Sequence, residues 1–585
     1  MCLELVTIAK RQGASENKNF EASVDRDKRQ LLSCDGYIKR VYSHLLIHDY
    51  SSAQKECEES LQVYPDSEGL KKAYIRALSE SGKDTEAISY SNNLDNKEQD
   101  SDLIETLAWG VIGCFENSSQ FIVSIASLMS AYYTDDVRFT EMLLRELNSS
   151  NAVLRSMAVK LSPRYRDGRI IDALKRLLVS EKVWFVRLEI IQALGAMEVK
   201  EVKEPLKRII VHSRTTAEEK GAAIASLVNT YDEVGEEELL KLSESKRAGL
   251  RHLACQIVAH LDLKEKSFTV EKLLKDPCSD VRVAALNTLN FLGLKTLNPE
   301  VLSKIIDLTE DPNPPVSLTA AWIVSRYAPE TALQIVRKWV YSTDESTRRL
   351  AAFVLGRMSL VGERLGEEVL TITPDPFVKS NLALGAIGQG GDDRRLSDVL
   401  YTFLMLRKGK VMWDSSQNPL FEVLTPSKIC HIPQVPQYPT MVDHLTRLEI
   451  LGMLAALKHP QAEEAVKSFL TQDVFGVTYA ASITLLEEGG DDAFDILRGL
   501  LKEEDKTIRV QAALALALSG GETEAIEILQ EDYYLVDREM KINILGALGH
   551  IGDKTSIPFL LKILEEPYQT LKVVAASALI QCVYH

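Results

Sequence analysis

The sequence predicts an all-α fold, an α-solenoid in which antiparallel helix pairs stack one on another. One motif recurs every 31 to 35 residues along most of the chain, and glycine turns and proline-bearing helix starts separate its copies. A step of about 31 residues holds two helices of about 12 residues with short turns. The chain has 585 residues, and a solenoid accommodates this length because each layer contacts only its neighbours.

The repeat is defined by a small apolar residue three places after a basic or equivalent residue, as in Val281-Arg282-Val283-Ala284-Ala285. We call this apolar residue the marker. The markers are Ala158, Ile190, Ala222, Ala254, Ala285, Ala320, Ala351, Leu382, Ile450, Ala481, Ala512, Ile544 and Ala575. Frequent Ala-Ala pairs at the marker predict mid-helix positions where neighbouring helices approach closely. In the last copy, Gly549 and Gly552 are predicted to form the turn and Ile557-Pro558 to open the next helix.

A basic residue recurs three places before the marker, near the predicted start of the same helix. It is arginine in six copies, which we call the arginine ladder: Arg155, Arg187, Arg251, Arg282, Arg348 and Arg509. The regular placement favours a structural role in which each guanidinium ties one loop to the next. Ligand binding by the ladder is the alternative.

This pattern resembles the HEAT repeat, particularly the short bacterial subclass of the phycobilin-lyase type, over roughly residues 135–585. The resemblance implies a helical scaffold. It says little about activity, since most members of the family are scaffolds.

The N-terminal part of the chain has a different pattern. Residues 1–34 are predicted to be a flexible segment. Residues 35–100 resemble the tetratricopeptide repeat, because Asp49-Tyr50-Ser51-Ser52-Ala53 is echoed 34 residues later around Ala87. The resemblance implies either a module that binds a peptide tail or a cap on the end of the solenoid.

The HEAT-like array is predicted to occupy residues 101–400 and 446–585. Its first part opens with apolar helices at 103–115 and 119–133, with Asp102 or Ser101 as the helix cap, and the regular repeats begin at about residue 136. Residues 401–445 between the two parts hold one repeat helix followed by a proline-rich inserted loop.

The inserted loop, residues 411–442, contains five prolines, a composition that rules out another helix pair. Its aromatic residues Trp413, Phe421 and Tyr438 are candidates for binding a protein partner. The alternative is that the segment packs along its own scaffold as structural filling.

The last predicted helix runs from Leu571 to the C-terminus and is read as the first helix of a unit whose second helix is missing. It carries Ile580 and Val583, and too few polar residues to cover an outer face. An apolar face of this kind predicts a contact surface. We therefore expect this end to dock on a partner or on a second copy of the chain.

Composition narrows the function. A formal charge of −16 argues against nucleic-acid binding, which needs clustered positive charge. Eight scattered cysteines without a Cys-x-x-Cys motif suggest reduced, mostly buried thiols and a cytoplasmic protein. No apolar run long enough to cross a membrane is present, and the N-terminus lacks a signal peptide unless the start site is misassigned.

Motifs for catalysis are weak. The run Gly385-Ala386-Ile387-Gly388-Gln389-Gly390-Gly391 follows a predicted helix and lacks the closing Lys-Ser or Lys-Thr of a phosphate loop, so we interpret it as a helix-ending turn. Cys430-His431 are adjacent, and adjacent side chains rarely face each other usefully. No histidine is followed by glutamate, the pair that HEAT-like metal hydroxylases use as iron ligands. We expect no enzyme activity, no cofactor and no metal.

The sequence therefore predicts a non-catalytic scaffold or adaptor that presents an extended helical surface to protein partners. The alternative is an enzyme or maturation factor that grips a cofactor or a modified protein in the concave groove, as the lyase relatives do. The lack of a dense His/Asp/Glu/Cys constellation favours the scaffold.

Overall fold

The computed structural model describes residues 33–95, 97–116, 118, 120–293, 299–387, 390, 394–406, 444–470, 479–520 and 523–584. The chain divides into two compact units, Met1–Asp95 and Asn96–His585. The regular structure of the described residues is helical throughout. The predicted all-α solenoid is confirmed.

Helix boundaries follow the predicted step. The α-helices are α1 (Cys34–Leu46), α2 (Tyr50–Val63), α3 (Glu68–Glu80), α4 (Asp84–Ser91), α5 (Ser101–Phe115), α6 (Phe121–Tyr133), α7 (Arg138–Glu146), α8 (Ala152–Leu161), α9 (Gly168–Ser180), α10 (Trp184–Ala196), α11 (Lys203–Val211), α12 (Ala217–Val228), α13 (Glu236–Ser243), α14 (Ala248–His260), α15 (Ser267–Leu273), α16 (Ser279–Phe291), α17 (Pro299–Asp307), α18 (Pro314–Val324), α19 (Pro329–Val340), α20 (Glu345–Gly356), α21 (Glu363–Ile372), α22 (Pro376–Ile387), α23 (Arg394–Leu406), α24 (His444–Ala456), α25 (Ala462–Leu470), α26 (Tyr479–Leu500), α27 (Lys506–Gly520), α28 (Thr523–Asp532), α29 (Arg538–Ile551), α30 (Ile557–Ile563) and α31 (Gln569–Tyr584). Helix α26 is two helices joined at Gly490, whose φ of 53° breaks the helical geometry.

The first unit consists of two helical hairpins, α1–α2 and α3–α4. Helices α1 and α3 begin 34 residues apart, and so do α2 and α4. Ala53 and Ala87, the two residues that revealed this period, occupy equivalent buried positions in α2 and α4. A small core of Val41, Leu45, Ala53, Cys57, Ala73 and Ala77 holds α1, α2 and α3 together.

The second unit is a succession of helix pairs. After the pair α5–α6, the described residues form thirteen further pairs, in each of which a leading helix precedes a marker helix. Every one of the thirteen markers lies in a marker helix, and successive marker helices pack against each other from α8 to α22 and from α24 to α31. Alanine occupies nine of the thirteen markers, and its small side chain lets these helices approach closely.

Glycines bring the marker helices still closer together. A Cβ on Gly356 of α20 would lie 2.5 Å from the carbonyl oxygen of Leu382 in α22, and a Cβ on Gly549 would lie 2.7 Å from the Cα of Ala578. Gly549 is therefore a packing residue inside α29, and its prediction as a turn residue was wrong. Gly552 does end that helix in the left-handed conformation, with φ of 73°.

Helix starts follow ordinary capping chemistry. Pro558 stands in the first turn of α30, as predicted. The predicted cap of α5 was one or two residues too late, because Asp100 is the residue whose carboxylate accepts the backbone N–H of Leu103, at 3.1 Å. Asp100 is followed directly by helical backbone, so Ser101 and Asp102 already lie in the first turn.

The last helix of the second unit packs against the first two. Helix α31 contacts α5 and α6 as well as its neighbours α29 and α30. It is the marker helix of the thirteenth pair, so the prediction that it opens an unfinished unit was wrong. Ile580 is 1% exposed and Val583 is half-buried. The apolar face that was expected to bind a partner or a second copy is covered by helices of the same chain.

The long insertion separates the two helices of the ninth pair. The leading helix α23 ends at Leu406 and the marker helix α24 begins at His444. Trp413, Phe421 and Tyr438 fall outside the described residues, and their role in partner binding stays a prediction.

Candidate protein-binding surface

The arginine ladder has the same geometry in all six copies. Each guanidinium donates Nη1 to the carbonyl oxygen six residues earlier, in the loop that precedes its own helix. Its other nitrogens reach a carboxylate of the following helix pair. The ion pairs are Arg155–Glu181, Arg187–Glu219, Arg251–Asp276, Arg282–Asp311, Arg348–Asp375 and Arg509–Asp532.

Arg282 shows how little binding capacity the ladder leaves for a ligand. Its Nε and Nη2 donate to Asp311 at 2.9 and 3.0 Å, and its Nη1 donates to the carbonyl oxygens of Asp276 and Pro277. The Asp311 side chain is 7% exposed and also accepts the backbone N–H of Asn313. Four of the five guanidinium N–H groups are thus used within the chain, and the arginine ties two successive loops together.

The ladder therefore fixes one series of loops, those between the leading and marker helix of each pair. We call this series the loop edge. Three bases on this edge stand eight residues before the marker in three successive pairs, and they are spaced by 32 residues: Lys182, Arg214 and Lys246. We call these three residues the basic row.

The basic row is free of internal ion pairs. All three side chains are exposed, and within the described ranges they have no carboxylate partner. Arg247, next to Lys246, is exposed and unpaired in the same way. The row is positively charged although the whole chain carries −16.

The acidic residue next to Lys182 in the chain is neutralised by hydrogen bonds. Glu181 accepts hydrogen bonds from Arg155 and from the backbone N–H groups of Lys182 and Val183. Burial acts to raise the pKa of Glu181, but these hydrogen bonds outweigh it and lower the pKa below its ordinary value. Glu181 is therefore ionised, and its charge is balanced by Arg155 of the ladder.

An exposed aromatic residue lies beside the row. Trp184 is the first residue of α10, two residues after Lys182, and is 63% exposed. Its ring makes an edge-to-face contact with Phe185, at 6.0 Å between centroids. Val179, near the end of the preceding helix α9, is 83% exposed. An apolar spot thus borders the basic row at its N-terminal end.

The sequence-based analysis missed this surface. Trp184 lies in the apolar run Val183-Trp184-Phe185-Val186, which looks like the start of a buried helix. The basic row lies upstream of the motif that defined the repeat. Comparing the copies eight residues before the marker would have revealed it.

Cysteine chemistry points away from reactive thiols. The six cysteines within the described residues are all free. Burial raises the pKa of Cys57 and of Cys582 to about 12, and also raises that of Cys255. These three thiols are protonated at neutral pH and are therefore poor nucleophiles.

The described ranges contain no group of three or more His, Cys, Asp or Glu residues arranged to hold a metal ion. None of the helices there is long and apolar enough to cross a bilayer.

Comparisons with known proteins agree with this architecture. Residues 140–228 and 268–356 match the family model of HEAT repeats. Each matched segment spans three successive helix pairs of the second unit. The helix pairs within these two segments are therefore similar to HEAT repeats.

Solved structures are similar at low sequence identity. A mutant of Kap121p has 12% identity and a TM-score of 0.33, covering 89% of this chain and 70% of its own. Kap121p bound to the extreme C-terminus of the protein phosphatase Cdc14p has 12% identity and a TM-score of 0.34, covering 92% of this chain and 69% of its own. The CpcE–CpcF complex of phycocyanin lyase from Nostoc sp. PCC7120 has 16% identity and a TM-score of 0.24, covering 45% of this chain and 94% of its own. No curated protein matches the chain.

Proposed function

We propose that this chain is a non-catalytic scaffold that holds a protein partner on the loop edge of its second unit. The observation that carries the proposal is the exposed indole of Trp184 beside unpaired bases, on loops that the arginine ladder holds in place. Tryptophan and arginine are among the residues that contribute most to protein interfaces. A partner that covers Trp184 and Val179 would remove from water an apolar area that the chain itself leaves open.

Rigidity of the loops supports the proposal. Binding is weakened when loops must be ordered at the interface. The loop before α10 is already held by Arg155 through Glu181, and by Arg187 through the Glu181 carbonyl oxygen at 3.2 Å. The surface is thus preorganised for a partner.

The first unit is proposed to be a tetratricopeptide-like module. Two hairpins with a 34-residue period support this, and so do the contacts between them. The side chains of Cys34, the first residue of α1, and Ser67, the N-cap of α3, lie 2.9 Å apart. The rings of Tyr37 and Tyr64 are 6.2 Å apart. Such a module would add a second interaction surface or a cap to the scaffold.

The scaffold proposal is tested by differential recovery of partners. The full chain and its Trp184→Ala variant are used as bait in extracts of the source cells, and bound proteins are quantified by mass spectrometry. The matched control is Tyr327→Ala, since Tyr327 is an exposed aromatic residue that follows a marker helix instead of preceding one. Circular dichroism checks that all three proteins have equal helicity.

We expect at least one protein to be lost with Trp184→Ala and retained with Tyr327→Ala. Equal recovery by all three baits would contradict the proposed surface. Co-purification of a chromophore or another cofactor, with no protein recovered selectively, would support the lyase-like alternative instead.

A further inference from the structure

We propose that the basic row binds an extended acidic segment of the protein partner, with carboxylates at every third residue and an apolar residue placed against Trp184. This inference rests on the proposed scaffold function and deepens it by assigning the chemistry of the bound segment. The observations behind it are the spacing, the exposure and the lack of ion pairing of Lys182, Arg214 and Lys246.

The three loops of the row are each fixed, although in different ways. Arg155 and its partner Glu181 hold the first loop. In the second loop the ladder position is occupied by Glu219, which receives Arg187 at 3.0 Å and forms a capping box with Thr216. Arg251 holds the third loop by donating to the carbonyl oxygen of Ser245 at 2.8 Å.

The expected distance between successive bases of the row matches three residues of an extended peptide. Packed helices lie about 8–10 Å apart, so successive bases of the row are separated by about that distance. An extended chain rises about 3.3 Å per residue, and three residues therefore span about 10 Å. Carboxylates at positions i, i+3 and i+6 would each meet one base. Because Trp184 follows Lys182 closely, the apolar residue belongs at the end of the peptide that meets Lys182.

Charge favours an acidic peptide over a nucleic acid. Glu218, in the first turn of α12, and Glu244, directly after α13, are exposed acids without an ion pair and lie close in sequence to Arg214 and Lys246. A continuous phosphate backbone would pass close to both carboxylates and be repelled. A peptide with separated carboxylates can place neutral residues there.

The test uses synthetic peptides and the full chain. The first probe is a fluorescein-labelled 12-residue peptide with one leucine followed by three glutamates at every third position, separated by serine and glycine. The second probe has the same composition with its glutamates adjacent. The third is a single-stranded oligonucleotide of the same length. Fluorescence anisotropy gives the dissociation constants at low and at physiological salt.

Two charge-matched variants locate the binding. The variant Lys182→Glu/Arg214→Glu reverses two bases of the row. The control Arg176→Glu/Arg208→Glu reverses two exposed, unpaired bases on the leading helices α9 and α11 of the same pairs. Reversing two exposed charges removes two attractions and adds two repulsions, so the row variant is expected to bind the spaced peptide about tenfold more weakly. The control is expected to stay within about twofold of the wild type.

Three results would overturn the assignment: equal binding of the two peptides, tighter binding of the oligonucleotide, or an equal loss of affinity in both variants. Recovery of the cellular partner separates this failure from failure of the scaffold proposal. If the row variant keeps a partner that Trp184→Ala loses, the scaffold proposal stands and the acidic segment is excluded. If no partner depends on Trp184 and no peptide binds, both proposals fail.

Discussion

The side-chain hydroxyl of Ser577 donates a hydrogen bond to the main-chain carbonyl of Ser130, 447 residues earlier in the sequence, at 2.8 Å. This bond joins α31, the last helix of the second unit, to α6. At the same seam the hydroxyl of Tyr584 donates to Glu105, which also receives Arg138. The seam therefore combines a buried apolar contact with a polar border, as a core between ordinary neighbouring pairs does.

The seam predicts that Ile580→Glu destabilises the second unit. Ile580 is buried against helices of its own chain, and an unpaired charge placed there is expected to lower the free energy of unfolding by about 3–5 kcal/mol. Urea unfolding followed by circular dichroism measures the loss, with Lys562→Glu, an exposed change on α30, as the control. Unchanged stability together with a lower mass in light scattering would restore the view that α31 binds a second copy.

The geometry of the ladder predicts that Arg282→Ala destabilises the fold far more than the loss of a surface ion pair does. Its removal leaves the buried Asp311 carboxylate without a counter-charge, at a cost of about 2–4 kcal/mol. The control is Arg337→Ala, because Arg337 pairs with Glu368 on the surface and is 52% exposed; its loss is expected to cost under about 1 kcal/mol. Equal unfolding midpoints for the two variants, with partner recovery lost only for Arg282→Ala, would assign the ladder to ligand binding.

Substitution of alanine for glycine is expected to change the stability in opposite directions at two positions. Gly356→Ala would place a Cβ 2.5 Å from a carbonyl oxygen and 2.9 Å from the Cα of Gly385, so we expect a loss of about 1–3 kcal/mol. Gly366→Ala adds a Cβ at 3.7 Å from Leu382, an ordinary contact, and should gain up to about 1 kcal/mol from helix propensity. Thermal unfolding of both variants tests the difference, and a gain in both would show that the marker helices can separate freely.

The pKa of Glu181 predicts a dependence of stability on pH. It is lowered from an ordinary value of 4.5; burial opposes the shift, and hydrogen bonds from Arg155 and the backbone outweigh it. The ionised carboxylate therefore stabilises the fold fully above pH 4.5, and this contribution is lost as the pH falls through the lower value of the folded state. Urea midpoints measured across that range should fall more steeply for the wild type than for Glu181→Gln. Parallel curves would contradict the prediction.

Features that a local sequence motif determines could be predicted from the sequence. The thirteen markers all lie in marker helices because close helix packing favours an apolar and mostly small side chain at that position, and a local motif reflects this preference. Gly549 was assigned to the turn because a glycine near Gly552 looks like turn chemistry, whereas its partner Ala578 is 29 residues away in sequence. Local pattern cannot distinguish a glycine that bends the chain from one that admits a neighbour.

The packing of α31 against α5 and α6 could not be predicted from a local motif. The apolar side of α31, including Ile580, has the composition of any unpaired helix face, and α5 and α6 look like ordinary apolar helices at the start of an array. Their contact depends on the small rotation between successive pairs, accumulated over the whole unit, and no single repeat encodes that sum. The basic row was overlooked for a different reason, since exposed bases leave no apolar period to follow.

Arrays of repeats change in evolution by gain or loss of whole copies, and in an open array the remaining copies are unaffected because each contacts only its neighbours. Contact between α31 and the pair α5–α6 removes that freedom. A duplicated or deleted pair would move α31 away from α5 and α6, and would expose Ile580 and the side chains that cover it. The number of pairs in this unit is therefore constrained by packing, as the size of a core side chain is.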